Sequence, residues 1–367
     1  MSLLRRSTRL PALWLLATGL CYTAVLVSPA RFWPAAFAAM FGIPAMLAAN
    51  VFVLIWAIRK RWHRFWWEVA LFCLLAGYPF LRATFAWGFP STPTPEQKTL
   101  RVISYNTGNF LGHGRNLDEK RVDARRMVRW LAREQADVLI LQELFNYPDV
   151  PEFRALHDLK KAGYRYKYWS RHTHHSDTVG AGMVVLAKRP LRKGKVCFAR
   201  PHSNNQILRV DYMAEGGDTV RILNAHLESI RLTYEDMALK RSPKKILGNM
   251  RRTLLKMREA YIHRAKQVET LHNEIGASPY PVLLCGDFND TPYSYSYWRI
   301  RASLRNAFEK AGAGLGNTYN GKFRAGLRID QQFYSSQLEC VRLNVVDSLN
   351  YSDHFALDGT YILPEKR

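Results

Sequence analysis

The sequence predicts an α/β domain of two packed mixed sheets with outer helices, preceded by a helical transmembrane region. Residues 1–96 are strongly apolar, a proline-rich connector follows them, and short strand-like runs then alternate with helical patterns. Because these runs are short and their connections mixed, the alternation favours two packed sheets over a single Rossmann-type sheet. The predicted strands lie at 100–105, 137–142, 182–187, 207–213, 220–225, 282–285, 331–334, 340–345 and 356–361, and the helices between them at about 118–134 and 151–162.

Two uncharged stretches near the N-terminus are long enough to cross a bilayer as helices. Pro11 to Ala30 carries no charge over 20 residues, and Phe32 to Ile58 carries none over 27; a crossing needs about 20. A third segment is interrupted by Glu68 and Arg82, but Arg82 can extend its charge to the interface. The predicted transmembrane region spans residues 1–89, with helices at 11–30, 34–58 and 65–89.

Positive residues beside these segments predict their orientation. The N-terminus and the second connection are rich in arginine and lysine, whereas the first connection has only Arg31. Since such residues favour the cytoplasmic side, three crossings place the C-terminal domain outside the cytoplasm. Alternatively, the first segment is a signal peptide cleaved after Ala30, which leaves two crossings and the same outward domain. Both alternatives predict an integral, multi-pass membrane protein with an extracytoplasmic domain.

Charge and proline content describe the remainder of the chain. Residues 90–97 hold three prolines and predict a short, stiff linker, and residues 98–367 are long enough for one large catalytic domain. Residues 1–96 hold 9 of the 53 Lys and Arg and 2 of the 30 Asp and Glu, which leaves the rest at +16. This favours a polyanion, either nucleic acid or an anionic membrane surface, although a merely solvated basic surface is the alternative.

One basic segment stands apart from the rest. Residues 231–266 carry eleven Lys and Arg against three acids, and apolar residues recur in this segment at helical spacing. The apolar stripe can pack on a sheet while the charges are solvated, or the helix can contact a polyanion or lipid headgroups. The five cysteines imply no disulfide framework, and no protein partner can be inferred.

The most informative motif is Gly286-Asp287-Phe288-Asn289-Asp290, which directly follows an apolar run. Asp287 and Asn289 are two residues apart and therefore share one side of the strand end. A carboxylate there can activate or orient a water, and an amide can hold a phosphoryl oxygen. The alternative is an Asp/Asn turn that caps its own backbone.

Other predicted strands also end in polar side chains. Asn106 ends the first strand of the domain, and Glu143 follows the apolar run 137–142. Because a carboxylate at the end of an apolar strand is desolvated, a hard divalent metal is its natural partner, and a salt bridge to an arginine is the alternative.

Two histidines lie in similar positions. His226 closes a strand and can donate to phosphate or protonate a leaving group, although a lone histidine is more often a core residue. In Asp353-His354 the neighbouring side chains point to opposite sides of an extended chain, so one can bind metal while the other faces substrate. Asp330 can orient and charge-stabilise His354.

The ordered series of motifs resembles the endonuclease/exonuclease/phosphatase superfamily, which includes pancreatic-type deoxyribonucleases and neutral sphingomyelinases. The series is Asn106, Gln142-Glu143, Asn224-Ala225-His226, Gly286-Asp287-Phe288-Asn289, Arg328-Ile329-Asp330 and Ser352-Asp353-His354. The resemblance covers roughly residues 98–363. It implies a four-layer α/β sandwich and Mg²⁺-dependent, or Mn²⁺-dependent, hydrolysis of a phosphoester. One motif departs from a frequent family form, because Gln331 stands where a tyrosine is common.

The resemblance also implies roles for these residues. Glu143 would bind the metal, with Asn106 and Asp353 completing or supporting its shell. Asp287 would orient or deprotonate the attacking water, and Asn289 would hold the phosphate. His226, and His354 backed by Asp330, would stabilise the pentacoordinate phosphorus and assist protonation of the leaving group.

Three functions follow as hypotheses. The first is a membrane-anchored phosphodiesterase of nuclease type, favoured by the basic domain and by His226. The second is a phospholipid or sphingolipid phosphodiesterase or phosphatase acting on headgroups, favoured by the anchor and the basic segment. The third is a binding module without activity, which the complete motif series disfavours. The polar loop from Arg171 to Asp177 is rich in ligand-type residues and is either a solvated loop or a substrate or second-metal site.

Overall fold

The computed structural model describes residues 2–59, 64–110, 116–171, 179–199, 204–231, 243–321 and 326–364. Its helices are α1 Ser2–Thr23, α2 Pro34–Phe37, α3 Ile43–Arg59, α4 Arg64–Ala76, α5 Tyr78–Thr84, α6 Leu117–Glu134, α7 Ala155–Lys161, α8 Pro243–Gly276, α9 Tyr295–Arg301 and α10 Ala307–Ala311. Its strands are β1 Ala86–Trp87, β2 Thr99–Asn106, β3 Val138–Asn146, β4 Tyr166–Arg171, β5 Gly180–Ala187, β6 Leu191–Ala199, β7 Gln206–Met213, β8 Thr219–His226, β9 Val282–Asp287, β10 Arg305–Asn306, β11 Ala313–Gly314, β12 Asp330–Tyr334, β13 Glu339–Val346 and β14 Ala356–Ile362.

The chain forms two compact units. Unit 1 comprises Met1–Thr84, Ile230–Lys266 and Thr291–Arg299, and unit 2 comprises Phe85–Ser229, Gln267–Asp290 and Ile300–Arg367. Unit 1 therefore combines the apolar N-terminal helices with the basic segment, which is distant from them in sequence.

Unit 1 contains two helices whose length and composition suit a membrane crossing. They cover Arg9–Leu26 and Pro34–Arg59, and Phe65–Ala76 forms a shorter apolar helix. A signal sequence or a buried core helix has the same length and composition. Within the unit, the Trp14 indole donates to the Asn50 side chain at 2.8 Å and so joins α1 to α3.

The helices of unit 1 differ from the predicted bounds at two places. The first begins at Ser2 and continues through a 3₁₀ turn to Leu26, so the stretch up to Ala30 is not helical throughout. The third segment is divided at Gly77 and ends at Thr84 rather than at residue 89. Pro79 has no backbone N–H and cannot continue the hydrogen-bond series of α4, which accounts for the break.

Unit 2 is built on two six-stranded mixed sheets. The first sheet has the order β13-β14-β2-β3-β5-β4 and the second the order β10-β12-β9-β8-β7-β6. In each sheet one central pair is parallel, β2 with β3 and β8 with β9, and the other neighbours are antiparallel. The short strands β1 and β11 pair separately.

Alternating side chains divide unit 2 into layers. Val102 of β2 joins a buried cluster that also includes Val210 and Leu283 of the second sheet, so this cluster lies between the sheets. The next residue, Ile103, points the other way and packs with Met127 of α6. This period-two alternation is what two facing sheets with outer helices require. The predicted α/β sandwich is confirmed.

Two long strands were not predicted from the sequence. β4 and β6 each lie at an edge of a sheet, and β6 is largely exposed or half-buried. As edge strands often do, β4 and β6 carry polar and charged residues, and they lack the apolar run of an interior strand.

Candidate active site

Three strand termini of the second sheet bring their polar side chains together. In the register of this sheet, Asp287 at the end of β9 lies between His226 at the end of β8 and Asp330 at the start of β12. Neighbouring strands are only about 5 Å apart. Regular pairing alone therefore places three of the predicted catalytic residues side by side.

Gly286 allows β9 and β8 to approach closely at this point. Its φ of 141° is in the region that glycine favours, and a Cβ atom here would lie 1.9 Å from the backbone oxygen of Ala225. No other residue avoids this contact without moving the backbone. The glycine before Asp287 is therefore a structural requirement of the site.

Asp287 also forms the self-capping turn that was the alternative interpretation of its motif. Its Oδ1 accepts a hydrogen bond from the backbone N–H of Asn289 at 2.8 Å, and Asn289 has a φ of 50°, a left-handed conformation that asparagine tolerates. The turn uses only one carboxylate oxygen. The other oxygen remains available to the site, so turn and site exist together.

Four nitrogen atoms surround Oδ2 of Asp287. The amide nitrogens of Asn106 and Asn289 lie at 3.0 and 3.2 Å, and the Nε2 atoms of His226 and His354 lie at 3.6 and 3.7 Å. Asp287 itself is 1% exposed. A buried carboxylate needs such partners, because desolvation without them is costly.

His354 and Asp330 form a buried pair. Nδ1 of His354 lies 2.9 Å from Oδ2 of Asp330. Burial opposes charge on the imidazole, but Asp330, Asp287 and Asp353 together outweigh it and raise the pKa of His354 well above its usual value. The ring therefore keeps a proton that Nε2, on the side of Asp287, can donate. This is the carboxylate-oriented imidazole expected from the sequence.

The first sheet contributes Glu143 through an irregular backbone. The pairing of β3 with β5 shifts between Leu141 and Leu144, and Glu143 within this bulge has a φ of 51°. Thr107 donates to the Glu143 backbone oxygen at 2.8 Å, and the Asn109 amide donates to Oε2 at 2.7 Å. The bulge and these two hydrogen bonds fix the orientation of the Glu143 carboxylate, and the side chain remains 24% exposed.

His226 lies between the carboxylates of the two sheets. Its Nε2 is 3.6 Å from Oε1 of Glu143 and 3.6 Å from Oδ2 of Asp287. Within the described part of the chain, its buried Nδ1 has no hydrogen-bond partner. His226 is thus a member of the site rather than a core histidine satisfied by its own strand.

Asp353 lies beside the loop that follows β2. A Cβ atom on Gly108 would be 3.1 Å from its Oδ1, and the neighbouring Ser352 hydroxyl donates to the Asn106 backbone oxygen at 2.8 Å. The predicted metal ligands therefore come from neighbouring elements of the first sheet. Asn106 ends β2, Glu143 lies in β3, and Asp353 precedes β14 beside the loop after β2. The polar loop between Arg171 and Asp177 lies, from residue 172 onward, outside the described residues.

The donor chemistry of the site fits a divalent cation. Among the described residues, ligand atoms of Asp287, Asp330 and His354 all lie within 4.8 Å of one another, and the Glu143 carboxylate lies 3.6 Å from the neighbouring His226. Several carboxylates gathered around one opening favour a hard cation such as Mg²⁺ or Mn²⁺. Because Asp330 already holds His354, the less buried Glu143 is the more available ligand.

Several functional contacts were not predicted from the sequence. Asn109 and Thr107 hold Glu143, and the Tyr319 ring lies 5.3 Å from the His354 ring at 73°. Burial, together with Asp353 and Asp287, raises the pKa of Tyr319 to about 12. A second asparagine three residues after Asn106 was a visible signal, since asparagine favours left-handed turns, whereas nothing in sequence places Tyr319 beside His354.

A buried polar contact joins the ends of the two sheets. The Gln142 amide donates to the Asn224 side-chain oxygen at 2.7 Å, and Asn224 donates to the Leu141 backbone oxygen at 3.2 Å. Both side chains are fully buried. This contact fixes β3 against β8 directly beneath Glu143 and His226.

Comparison with known families agrees with this geometry. Residues 103–354 match the family model described as the endonuclease/exonuclease/phosphatase family, and residues 8–84 match a domain of unknown function. The chain belongs to the endonuclease/exonuclease/phosphatase family. Enzymes of this family hydrolyse phosphoester bonds of substrates such as nucleic acids and use divalent metal ions. No curated protein matches the chain.

Solved structures show the same fold at low identity. A family protein from Bacteroides thetaiotaomicron is 17% identical with a TM-score of 0.50, over 74% of this chain and 100% of that one. ANGEL2, a 2′,3′-cyclic phosphatase, is 17% identical with a TM-score of 0.50, over 77% of this chain and 99% of that one. A family protein from Beutenbergia cavernae is 18% identical with a TM-score of 0.49, over 73% of this chain and 72% of that one.

Proposed function

We propose that this protein is a membrane-anchored, divalent-metal-dependent phosphodiesterase of nuclease type. The observation that carries the proposal is the surroundings of Asp287 Oδ2, with two histidine and two asparagine nitrogens between 3.0 and 3.7 Å away. A water held there has a base beside it, and a phosphoryl group has donors on more than one side.

The side chains divide the work of hydrolysis. Asp287 orients the attacking water and takes its proton, and the Asn289 amide holds a phosphoryl oxygen. His226 and His354 stabilise charge on the pentacoordinate phosphorus, and His354, held by Asp330, gives a proton to the leaving oxygen. The short distance between Asp330 and His354 supports this role.

Glu143, Asn106 and Asp353 are the proposed holders of the cation, with Mg²⁺ first and Mn²⁺ second. The partly exposed Glu143 side chain and the Asn109 amide that fixes it support this assignment. A bound divalent cation polarises a phosphoryl oxygen and offsets charge that develops in the transition state.

The N-terminal helices are proposed as the membrane anchor. Only 28% of the Arg9–Leu26 window and 22% of the Pro34–Arg59 window is buried, so much of their apolar surface is open to lipid. We place the transmembrane region at residues 1–89, the linker at 90–97 and the catalytic domain at 98–367, with the domain outside the cytoplasm. The positive charges at the N-terminus and the second connection support this orientation.

Nucleic acid is the preferred substrate because the chain beyond residue 96 carries a net charge of +16. Hydrolysis of phospholipid or sphingolipid headgroups is the second candidate. The observation that favours it is the presence, in the same chain, of apolar helices that would hold the enzyme at a membrane.

The test is a substrate panel offered to the purified full chain in detergent. Linear and plasmid DNA, RNA, and mixed vesicles of phospholipid and sphingomyelin are incubated with Mg²⁺, with Mn²⁺, and with EDTA. We expect DNA or RNA to be cleaved and EDTA to stop cleavage. Release of headgroups without cleavage of nucleic acid would replace the first candidate with the second.

Asp287→Ala is the matched control, because it removes the central carboxylate and adds no bulk. Its folding is checked by thermal unfolding. Activity that persists in this variant at the level of the parent protein would belong to a contaminant or to another site, and the proposed function would then be wrong.

A further inference from the structure

Four large apolar side chains are exposed along one side of α8. Leu247, Met250, Leu254 and Leu255 are 69%, 55%, 48% and 46% exposed. Their spacing places them on one side of the helix over about two turns. Single exposed leucines are ordinary on protein surfaces, but a contiguous row on one helix indicates an interaction surface.

Basic residues share this side of the helix. Arg251 and Arg258 are exposed and lie among the apolar side chains, and residues 247–258 contain no acid. We call this surface the leucine–arginine face. It consists of Leu247, Met250, Arg251, Leu254, Leu255 and Arg258.

Next to this face, toward the C-terminal end of α8, the helix is already packed within unit 1. Met257 and Tyr261 are buried in a cluster with Ala36, against which Phe37 also packs. The Tyr261 and Phe37 rings are 5.5 Å apart. The leucine–arginine face is therefore the surface of α8 that these core contacts leave exposed.

The leucine–arginine face also reaches the connection between the two long apolar helices. The Arg258 guanidinium lies 5.6 Å from the Trp33 ring, and Trp33 and its neighbour Phe32 are 39% and 58% exposed. Tryptophan at the end of an apolar helix is typical of the membrane–water interface. This contact puts the face at the level where the apolar helices end.

We propose that the leucine–arginine face lies in the headgroup region of an anionic phospholipid bilayer. Leucine and methionine side chains then enter the boundary with the acyl chains, and the arginines meet lipid phosphates. Nucleic acid offers phosphates but no apolar layer for four exposed aliphatic side chains, so it fits this face less well. The inference rests on the proposed membrane anchor and not on the hydrolytic activity.

The experiment measures the depth of the leucine–arginine face in a bilayer. In the full chain, the two partly exposed cysteines, Cys21 and Cys197, are replaced by serine, and Leu254→Cys carries an environment-sensitive fluorophore. The chain is reconstituted into bilayers of phosphatidylcholine alone or with a quarter of phosphatidylglycerol, both containing spin-labelled lipid. We expect strong quenching and a blue shift of the fluorophore, both greater with phosphatidylglycerol.

Leu117→Cys is the matched control, since Leu117 is also an exposed leucine on a helix, at 58%, but is followed by the exposed acids Asp118 and Glu119 instead of lying among arginines. Its fluorophore should show little quenching in either bilayer. The double variant Arg251→Gln, Arg258→Gln should weaken binding of the face to anionic bilayers by about fivefold for each positive charge removed, and the quenching at residue 254 should fall with it.

Equal quenching at residues 254 and 117 would overturn the proposal, as would quenching at 254 that is the same in neutral and anionic bilayers. Soluble DNA is added in a separate arm without lipid. A blue shift caused by DNA and not by bilayers would assign the face to nucleic acid instead. Phosphoesterase activity is measured on each labelled chain, so a failure of attachment is distinguished from a failure of the proposed function.

Discussion

The two sheet ends that meet at the site are built in different ways. In the second sheet, His226, Asp287 and Asp330 are neighbours because regular strand pairing places them opposite one another. In the first sheet, Glu143 reaches the site through a bulge with a left-handed residue and is held by side chains of the loop after β2. The proposed base, Asp287, and its neighbour His226 are thus fixed by strand pairing, whereas the proposed metal ligand, Glu143, is fixed by local contacts.

This difference predicts two kinds of defect. Changes in the second sheet, or in His354, which Asp330 of that sheet holds, should lower the rate at saturating metal and leave the metal requirement unchanged. Changes around Glu143 should shift the metal requirement and largely preserve the rate once metal is saturating.

The largest expected effect is that of His354→Asn, which removes the proton donor beside Asp287. We expect kcat to fall by about 10²–10⁴-fold, the usual contribution of a general acid. The measurement is steady-state cleavage as a function of Mg²⁺ concentration. A variant with a normal rate would remove His354 from the mechanism, and a variant whose only defect is a higher Mg²⁺ requirement would contradict the comparison.

Asp330→Asn tests the support of that imidazole and should have a smaller effect. Asp330 raises the pKa of His354, so without its charge the pKa falls and the ring loses its proton at lower pH. The alkaline limit of the pH–rate profile should therefore move to lower pH, with kcat reduced about 10²-fold at its optimum. An unchanged alkaline limit would mean that His354 is not the group that titrates.

On the side of the first sheet, Asn109→Gly removes the amide that holds Glu143. Glycine accepts the φ of 53° at this position, so the loop should keep its shape. We expect the Mg²⁺ concentration for half-maximal activity to rise about 10–100-fold, the usual cost of losing a residue that supports a metal ligand. Isothermal titration with Mn²⁺ provides a readout independent of activity, and unchanged affinity there would contradict the prediction.

The smallest effect on activity should come from Asn224→Leu, which breaks the contact between the two sheet ends. The buried Gln142 amide would lose its acceptor, at a cost of about 1–3 kcal/mol in the free energy of unfolding. Thermal and denaturant unfolding measure this cost. Gln142→Leu combined with Asn224→Leu should recover part of the stability, because both polar partners are then absent.

The regular half of the site could be predicted from the sequence, because its residues end apolar strands. Asp287 and His226 each follow a buried run, and their motifs also indicate the family. Glu143 was predicted as a ligand, but neither its bulge nor the Asn109 contact could be, since both depend on a left-handed backbone that many sequences adopt.

The interior strands and the edge strand β13 were predictable, but the edge strands β4 and β6 were not. β2, β3, β8 and β9 are buried runs with clear apolar sequences, whereas the edge strands β4 and β6 carry polar residues and give no such signal. The sequence also could not predict which segments form unit 1, because the contact of Tyr261 with Phe37 joins residues more than two hundred positions apart.

Gly286 has a consequence for how this sequence can change. A Cβ atom at this position would lie 1.9 Å from a backbone oxygen that cannot rotate away, so the position tolerates no side chain while β8 and β9 keep their pairing. In a saturation library selected for phosphoester hydrolysis, position 286 should return glycine alone, whereas Asn289 and Asn109 should each admit a few alternatives. Backbone geometry alone therefore excludes substitution at this residue, whatever effect a side chain there would have on catalysis.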